Sequence, residues 1–344
     1  MNHFRANNHY VPKLYLKGWI RDDRIATYRL LVPSESYPVW KMQSLKGIAV
    51  HRHLYTSIVA GQETDRLERW LESEFERPAT DVIDRVHREL PLTPNQWHIL
   101  IKFLAAQDVR TPARLRDFLK RHNEILPSLI DQSVASSVKK LEHAAISGEV
   151  LATADTGSLP DFPIRIFVNR NEDGSGRVRA ETLVGRQLWI SAFEHLLTKT
   201  ATHLLNHRWT ILNAPNGMTW PTSDNPVMKL NFVGLNDYDF KGGWGREGGE
   251  IFMPLGPKHL LYTHIGCPVP RRGTVPARWM ADKVRRMLIE HADRFVFADQ
   301  EQDCATIRPR RVSQEAFRAE QEAWNNWAIS QSRAEAEFFA PDRS

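Results

Sequence analysis

The sequence lacks the features that mark several large classes of protein. Its 344 residues include two cysteines, Cys267 and Cys304, which excludes a disulfide framework and a cysteine-based zinc site. Its first residues contain no apolar stretch of the kind found in a secretory signal peptide. No run approaches the ~18 apolar residues that cross a bilayer. These absences predict a soluble protein of the cytoplasm with reduced thiols.

Strong catalytic motifs are lacking too. The sequence has no GxxxxGK[ST] phosphate loop, no HExxH zinc helix and no GxSxG nucleophile elbow. The segment GGWGREGG at 242–249 has neither the GxGxxG register nor a helix behind it, so we interpret it as a flexible loop. No local cluster of ligands indicates a metal site, and no motif points to a cofactor. The sequence leaves the oligomeric state open.

What is present is the composition of a globular protein, with 42% hydrophobic and 25% charged residues. The net charge of +5 is unevenly distributed. Residues 1–62 carry nine Lys and Arg against three acidic residues, and residues 271–311 carry ten against six. If these regions adjoin, they form a surface that could track phosphates, which favours a nucleic acid or a nucleotide as partner. The alternative is scattered, solvated charge.

The hydrophobic pattern predicts an α+β fold, in which a helical N-terminal half packs with a mostly antiparallel sheet from the C-terminal half. We expect one large domain across 1–344, or two lobes at 1–146 and 163–311 joined by a linker at 147–163. Residues 312–344 then form a helical, acidic tail. Within the helical half, Pro78 is expected to break or kink its helix, and Pro127 is expected to separate two helices.

One predicted helix carries three polar candidates. Thr93–Gln96 is a capping box, and the helix that it starts is expected to run to about Arg121. Gln107, Arg110 and Arg114 then have the spacing i, i+3 and i+7, which places them on one stripe beside the apolar face. An arginine there could clamp a phosphate or a carboxylate through two hydrogen bonds. The alternative is an ordinary salt bridge at a helix end.

Two further pairs of polar residues flank turns. His9 and Tyr10 precede a short helix, whose N-terminal N–H groups favour anions, so the pair could donate protons or hydrogen bonds to a phosphate. Alternatively, His9 caps or forms a hydrogen bond with the backbone, and the Tyr10 side chain serves only in packing. Asp224 and Asn225 stand in a turn before a proline, where their side chains can bond backbone or ligand. Asp224 could act as a base or orient His9. The alternative is a β-turn in which the Asp224 and Asn225 side chains form hydrogen bonds only within the turn.

Other candidates carry weaker signals. Glu74, on the helix predicted at 65–77, is offset by two positions from its acidic neighbours and is the carboxylate expected to face inward. It could join Asp224 in a metal site. Arg116 and His122 have the R-x5-H spacing of some metal-independent ribonucleases, although such pairs also arise by chance in a chain with 14 histidines.

Several segments, taken in order, resemble one bacterial family that is a domain of unknown function. They are HYVPKLYLKGW, GIAVHRHLYT, FLAAQDVRTPARLR, TSDNPV, FMPLGPKHLLYT and HADRFVFAD, spread over roughly residues 8–298. The family pattern has HYVPxxYLxxF/W at its start and SDNP later, and Trp19 stands where Phe is common. The resemblance implies no activity. It marks positions that match the pattern: His9, Tyr10, Gln107, Arg110, Asp224, Asn225 and Pro226, with Glu74 less closely matched.

Three hypotheses follow. The first is an intracellular enzyme, a nuclease-like hydrolase of a defence or toxin type, that acts on a phosphate-bearing substrate. His9 would be its general acid or base, Arg110 its phosphate clamp and Asp224 its second carboxylate. The binding residues would be Tyr10, Gln107, Arg114, Asn225 and Glu74. The second is a non-enzymatic binding protein whose polar residues form a buried structural network. The third is a sensor of a small anionic metabolite.

Overall fold

The structure is a computed structural model that describes residues 6–59, 62–149, 163–170, 176–235 and 237–340. Most of the linker expected at 147–163 lies outside these ranges. The described chain is a mixed α+β protein.

Most strands are short and come from both halves of the chain. They are β1 (Asn7–His9), β2 (Ile25–Arg29), β3 (Leu31–Val32), β4 (Trp40–Gln43), β5 (Val50–Arg52), β6 (Ser57–Val59), β7 (Gln62–Thr64), β8 (Ile164–Arg170), β9 (Gly176–Thr182), β10 (Thr210–Asn213), β11 (Thr222–Ser223), β12 (Met228–Gly234), β13 (Asp237–Asp239), β14 (Glu250–Pro254), β15 (His259–His264), β16 (Phe295–Ala298) and β17 (Arg311–Val312).

The helices vary from one turn to 36 residues. They are α1 (Lys13–Leu16), α2 (Arg66–Leu71), α3 (Arg77–His87), α4 (Pro94–Val109), α5 (Pro112–Ser147), α6 (Arg186–His195), α7 (Thr202–Leu205), α8 (Arg278–His291), α9 (Cys304–Ile307) and α10 (Gln314–Phe339). No helix among the described residues combines the length and the apolar character needed to cross a membrane.

Two antiparallel sheets organise the strands. One has the order β10-β15-β14-β12-β13, and the other has the order β11-β16-β2-β4. The second sheet takes β2 and β4 from the first 43 residues, so the expected division into a helical N-terminal half and a sheet from the C-terminal half is not observed. The remaining strands form two-stranded pairs, of which β17 with β3 is parallel.

The helical region departs from expectation at Pro78. α2 continues through a π-turn at Glu72–Glu76 into α3, and Pro78 stands in the first turn of α3. A proline lacks the N–H of a helical hydrogen bond and its ring crowds the preceding turn. The wider π-turn relieves that crowding, so the helical segment continues through Pro78 and the break does not occur.

A second departure divides the helix expected to run from residue 94 to about 121. The capping box is confirmed, because Thr93 Oγ1 accepts a hydrogen bond from the Gln96 N–H at 3.3 Å and Gln96 Oε1 accepts one from the Thr93 N–H at 2.9 Å. The helix nevertheless ends at Val109. Thr111 caps a new helix, α5, whose first residue is Pro112, and a proline disfavours helical geometry in the residue before it.

The third departure is at Pro127, which lies inside α5 and does not end it. A proline in a helix interior costs about 3 kcal/mol. Apolar residues from Leu126 to Leu141 face the hairpin of β8 and β9 across a shared groove.

The N-terminal segment is fixed to the second half of the chain through the core. Tyr15 and Trp19 are fully buried. The Tyr15 hydroxyl donates to the Pro254 carbonyl and is paired with Thr222 Oγ1, both at 2.7 Å. The Trp19 indole donates to the Trp220 carbonyl at 2.7 Å. The bond between Tyr15 and Thr222 connects α1 to β11, which fits the common position of residues 10 and 224 in one cleft.

Candidate functional site

A cleft of about 710 Å³ opens beside β1, β5, the start of α5, the turn before β16, and α10. We call it the Asp224 cleft. Its charged lining consists of four arginines and three carboxylates: Arg29, Arg52, Arg116, Arg294, Asp224, Asp293 and Glu320. A cavity of this size can hold a ligand as large as a nucleotide.

Asp224 lies at the end of β11 with 4% of its surface exposed. Its Oδ1 accepts a hydrogen bond from the Asp293 N–H at 2.9 Å, and its Oδ2 accepts one from the Arg294 N–H at 2.8 Å. Burial raises the pKa of Asp224 to about 7, repulsion from Asp293 adds to this rise, and the two N–H groups oppose it. A carboxyl group with this pKa changes its protonation state near neutral pH.

The carboxylate of Asp293, which repels that of Asp224, is itself paired with an arginine. Asp293 forms an ion pair with Arg116, and Arg294 forms one with Glu320 of α10. The Arg116 guanidinium also lies 5.8 Å from the ring centre of Trp324 on α10. The cleft therefore places arginines next to a carboxyl group that is neutral part of the time, which leaves positive charge for an anionic ligand.

Tyr10, at the end of β1, also lines the cleft and is 6% exposed. The pKa of its hydroxyl is raised well above the usual value, first by burial and then by the negative charges of Asp224 and Asp293. The hydroxyl stays protonated and can serve as a hydrogen-bond donor. The structure thus brings together two sequence-predicted residues, Tyr10 and Asp224.

Asn225 contacts a neutral histidine behind this turn. Its carbonyl accepts a hydrogen bond from His291 Nδ1 at 3.0 Å, and its Nδ2 donates to His291 Nε2 at 3.3 Å. Burial and the positive charge of Arg114 lower the pKa of His291 to about 4, which fits a neutral ring that donates from one nitrogen and accepts at the other. The amide oxygen of Asn225 is paired with the Thr111 hydroxyl at 3.4 Å. These bonds hold the turn that carries Asp224.

Arg110 and His9 belong to a different, internal network. Arg110 is fully buried. Its Nη1 donates to Glu76 Oε1 at 2.6 Å, its Nη2 donates to the His9 carbonyl at 2.7 Å and its Nε donates to the Tyr55 hydroxyl at 3.3 Å. The Tyr55 hydroxyl in turn donates to the Arg110 carbonyl at 2.6 Å. All three guanidinium nitrogens are used inside the protein.

The His9 ring lies apart from the cleft lining. Burial and the nearby charges of Lys13 and Arg110 lower its pKa to about 4, against a hydrogen bond with the Ile48 backbone that raises it. In the described parts of the chain, no hydrogen bond or ion pair joins Asp224 to His9 or Arg110, and His9 Nδ1 has no partner. His9 and Arg110 are therefore hydrogen-bonded to each other, but neither is bonded to Asp224.

The stripe expected from Gln107, Arg110 and Arg114 does not exist, because α4 ends at Val109 and Arg114 lies in the first turn of α5. Gln107 is fully buried on α4, and neither of its amide atoms finds a partner among the described residues. Arg114 binds Asp108 through Nε at 2.9 Å and Nη2 at 2.6 Å. The three residues thus have three separate environments.

Glu74 was expected to face inward, and this is wrong. Its side chain is exposed in the π-turn. Within the π-turn the carboxylate that faces inward is that of Glu76, which binds Arg110. A π-turn changes the angular offset between neighbouring residues, so the regular spacing of 100° per residue gave the wrong face. The described residues hold no group of three or more His, Cys, Asp or Glu side chains that could bind a metal ion.

The cleft residues that sequence reasoning missed include Asp293, Arg294 and the role of Arg116 as a partner of Asp293. Arg116 had been considered with His122, but its ion pair is with Asp293. Asp293 and Arg294 stand in HADRFVFAD, directly before the strand β16. The signal that the sequence offered for these two residues was an acidic residue and an arginine directly before a strand.

The fold and the cleft together define an α+β protein with a carboxylate–arginine cleft. Residues 7–302 match the family model described as protein of unknown function (DUF4238), so the chain belongs to this family. No curated protein and no solved structure matches the chain. The matched region contains Tyr10, Asp224 and Asp293, and it ends before α10, which supplies Glu320 and Trp324 to the cleft.

Proposed function

We propose that this protein is a hydrolase that acts on a phosphate-bearing substrate in the Asp224 cleft. The observation that carries the proposal is a buried carboxyl group with a pKa of about 7 in a cleft lined by arginines. A general base works best when its pKa lies near the working pH. A nuclease of the defence or toxin type is one enzyme of this class.

In this proposal Asp224 is the general base. Its ionised carboxylate accepts a proton from a water molecule, and the water oxygen forms a bond to phosphorus while the bond to the leaving oxygen breaks. The leaving oxygen takes up a proton from solvent. The backbone N–H groups of Asp293 and Arg294 hold the carboxylate in place, which supports a fixed geometry for the base.

Arginines and a tyrosine would hold the phosphate. Arg116 lies beside Asp293, and Arg294 lies beside Glu320. A phosphate that enters the cleft can share these guanidinium groups, since arginine has five N–H donors in a planar arrangement. The Tyr10 hydroxyl adds a neutral donor. His9 and Arg110, the other predicted catalytic residues, have a supporting role in this proposal.

The experiment is an activity screen of the full chain against RNA, DNA, nucleotides and a chromogenic phosphate ester, with and without divalent cations. We expect turnover of at least one substrate and a loss of about 10²-fold or more in Asp224→Asn, the size expected for a general base. The matched control is Asp81→Asn, an exposed carboxylate on α3. Melting temperatures of both variants separate lost chemistry from lost folding. Equal rates in Asp224→Asn and wild type would refute the proposal.

A second candidate is a binding protein without catalysis, whose polar residues serve architecture. The observation that favours it is the Arg110 network, in which every guanidinium nitrogen has an internal partner. In this case the same screen yields ligand binding to the cleft but no turnover.

We also propose a cytoplasmic location and a nucleic acid or nucleotide as partner. Support for the location comes from Cys267 and Cys304, which are both free thiols. Support for the partner comes from the four arginines of the cleft. Fractionation of cells expressing the chain tests the location, and a filter-binding assay with labelled RNA and DNA tests the partner.

A further inference from the structure

A second cleft, of about 770 Å³, lies apart from the Asp224 cleft and shares none of its lining residues. It is bordered by the end of α4, the first turns of α5, α6 and the π-turn after it, β12 and the glycine-rich loop after β13. We call it the Lys229 cleft. The proposed hydrolase function makes no use of it.

The floor of the Lys229 cleft contains more buried positive than negative charge. Asp108, 2% exposed, accepts hydrogen bonds from Arg114, from Lys229 Nζ at 2.5 Å and from the Trp244 indole at 2.7 Å. Two cations therefore share one carboxylate. The next acidic group, Asp117, is 3.7 Å from Arg114 but 74% exposed, so water screens most of its charge.

The pKa values of Lys229 and Asp108 are consistent with an excess of buried positive charge in this cleft. Burial and repulsion from Arg114 lower the pKa of Lys229 to about 8, although Asp108 opposes the shift. Its two cationic neighbours hold the pKa of Asp108 well below the usual range, in spite of burial. A buried cation that one carboxylate does not fully neutralise is stabilised by an additional anion.

The remaining lining supplies positive charge at the rim and aromatic rings. Counted over the whole cleft, five Lys and Arg face three carboxylates. Five aromatic side chains of Phe and Trp line it as well: Phe118, Trp189, Phe193, Phe240 and Trp244. Rings and arginine or lysine together are the usual surroundings of a bound aromatic anion.

The glycine-rich loop, expected from the sequence to be flexible, is held in place by specific bonds. The Gly242 N–H donates to the Lys229 carbonyl at 3.3 Å, and the Trp244 carbonyl is paired with His207 Nε2 at 2.6 Å. A Cβ atom at Gly242 would lie 2.9 Å from the Lys229 carbonyl carbon, so only glycine allows this approach. The loop thus presents Trp244 to the cleft in a fixed position.

We propose that the Lys229 cleft binds an anionic group carried on an aromatic ring, and that a mononucleotide is the ligand class that fits it. Lys229 and Arg114 face the phosphate, and the rings of Phe240 and Trp244 contact the base. No reaction is assigned to the cleft.

The test is isothermal titration calorimetry of the full chain with adenosine 5′-monophosphate, adenosine and inorganic phosphate. We expect the nucleotide to bind more tightly than either of its parts, because it alone uses both the charge and the rings. Lys229→Met should weaken nucleotide binding about tenfold or more, the loss expected for one hydrogen bond between charged groups. The control Lys139→Met changes an exposed lysine outside the cleft and should bind as wild type does.

Further variants keep the inference falsifiable. If Lys229→Met does not fold, Lys241→Met removes an exposed cation of the same cleft and should weaken binding several-fold. Asp81→Asn changes an exposed carboxylate that lines neither cleft and should leave nucleotide affinity unchanged. The inference is overturned if the wild type does not bind the nucleotide at millimolar concentration, if phosphate alone binds as tightly, or if the cleft variants bind normally. The proposed hydrolase function does not depend on these outcomes.

Discussion

Arg110→Met is expected to destabilise the protein strongly, because the guanidinium stabilises the fold from inside. The side chain is fully buried and holds Glu76, Tyr55 and the His9 carbonyl. Methionine keeps most of the apolar volume of arginine but supplies no donor. Glu76 is then left with 16% exposure and without its nearest cation, 2.6 Å away in the wild type.

The magnitude follows from the groups left unpaired. Removal of one partner of a buried ion pair costs about 3–5 kcal/mol of unfolding free energy. A buried carbonyl that loses its donor costs about 1–3 kcal/mol, and the two terms overlap because one side chain serves both. We therefore expect a loss of about 3–5 kcal/mol. In a chain of this size the fall in Tm is on the order of 10 °C.

Urea and thermal unfolding, followed by circular dichroism, measure this loss. The matched control is Arg88→Met, which removes an arginine 70% exposed and paired with Asp84, and which should change the unfolding free energy by about 0.5 kcal/mol or less. The double variant Arg110→Met, Glu76→Gln should recover part of the loss, because it no longer buries an unpaired carboxylate. If Arg110→Met melts as the wild type does and instead loses ligand binding or activity, the structural assignment of Arg110 is refuted.

Two further predictions concern Asp224 and α10. The folded pKa of Asp224, about 7, lies above its ordinary value of 3.8, so the folded state holds this proton more tightly. The stability that the proton contributes is lost as pH rises through about 7. Urea unfolding should show the wild type losing stability relative to Asp224→Asn between pH 5 and pH 8, and a constant difference would contradict this. Glu335→Ala should cost about 3–5 kcal/mol, because it leaves the fully buried Arg186, 2.6 Å away, without its carboxylate. Glu337→Ala, in the exposed pair with Arg333, should melt as the wild type does, and equal melting of both variants would refute a tether between α6 and α10.

Local signals in the sequence were sufficient for several elements. The capping box at Thr93 and Gln96 forms as expected, since its donors and acceptors are three residues apart. The larger sheet was also expected, since the hydrophobic pattern predicted a mostly antiparallel sheet from the C-terminal half of the chain. The start of α5 carried the same Thr-Pro signal at residues 111 and 112 as the start of α4. That repeated signal would have placed the helix break, and it would have separated Arg110 from Arg114.

The positions of polar residues relative to one another could not be predicted, because their partners are far away in the chain. Arg110 binds Glu76, Tyr55 and residue 9, and no spacing rule connects these segments. The π-turn before Pro78 rotated the acidic side chains of residues 72–76 away from a regular helical pattern. The division of the chain into lobes at 146 and 163 stays a prediction.

The candidate cleft, too, could be predicted only in part from local sequence patterns. Tyr10 and Asp224 were chosen from the sequence, and the structure places both at one cleft. The helix α10 could be expected from its composition, but its packing over the cleft depends on distant ion pairs such as Arg294 with Glu320. Long-range pairing of this kind follows from tertiary packing and not from local propensity.

The central claim is that Asp224 is a general base in the cleft, and the pH dependence of kcat/KM for a phosphate-ester substrate tests it most directly. The claim predicts that kcat/KM of the wild type rises with pH through about 7, as burial and Asp293 set the ionisation of Asp224 there. In Asp224→Asn the residual rate should lose this rise. A profile that is flat through pH 7, or one whose rise persists in Asp224→Asn, would contradict the account.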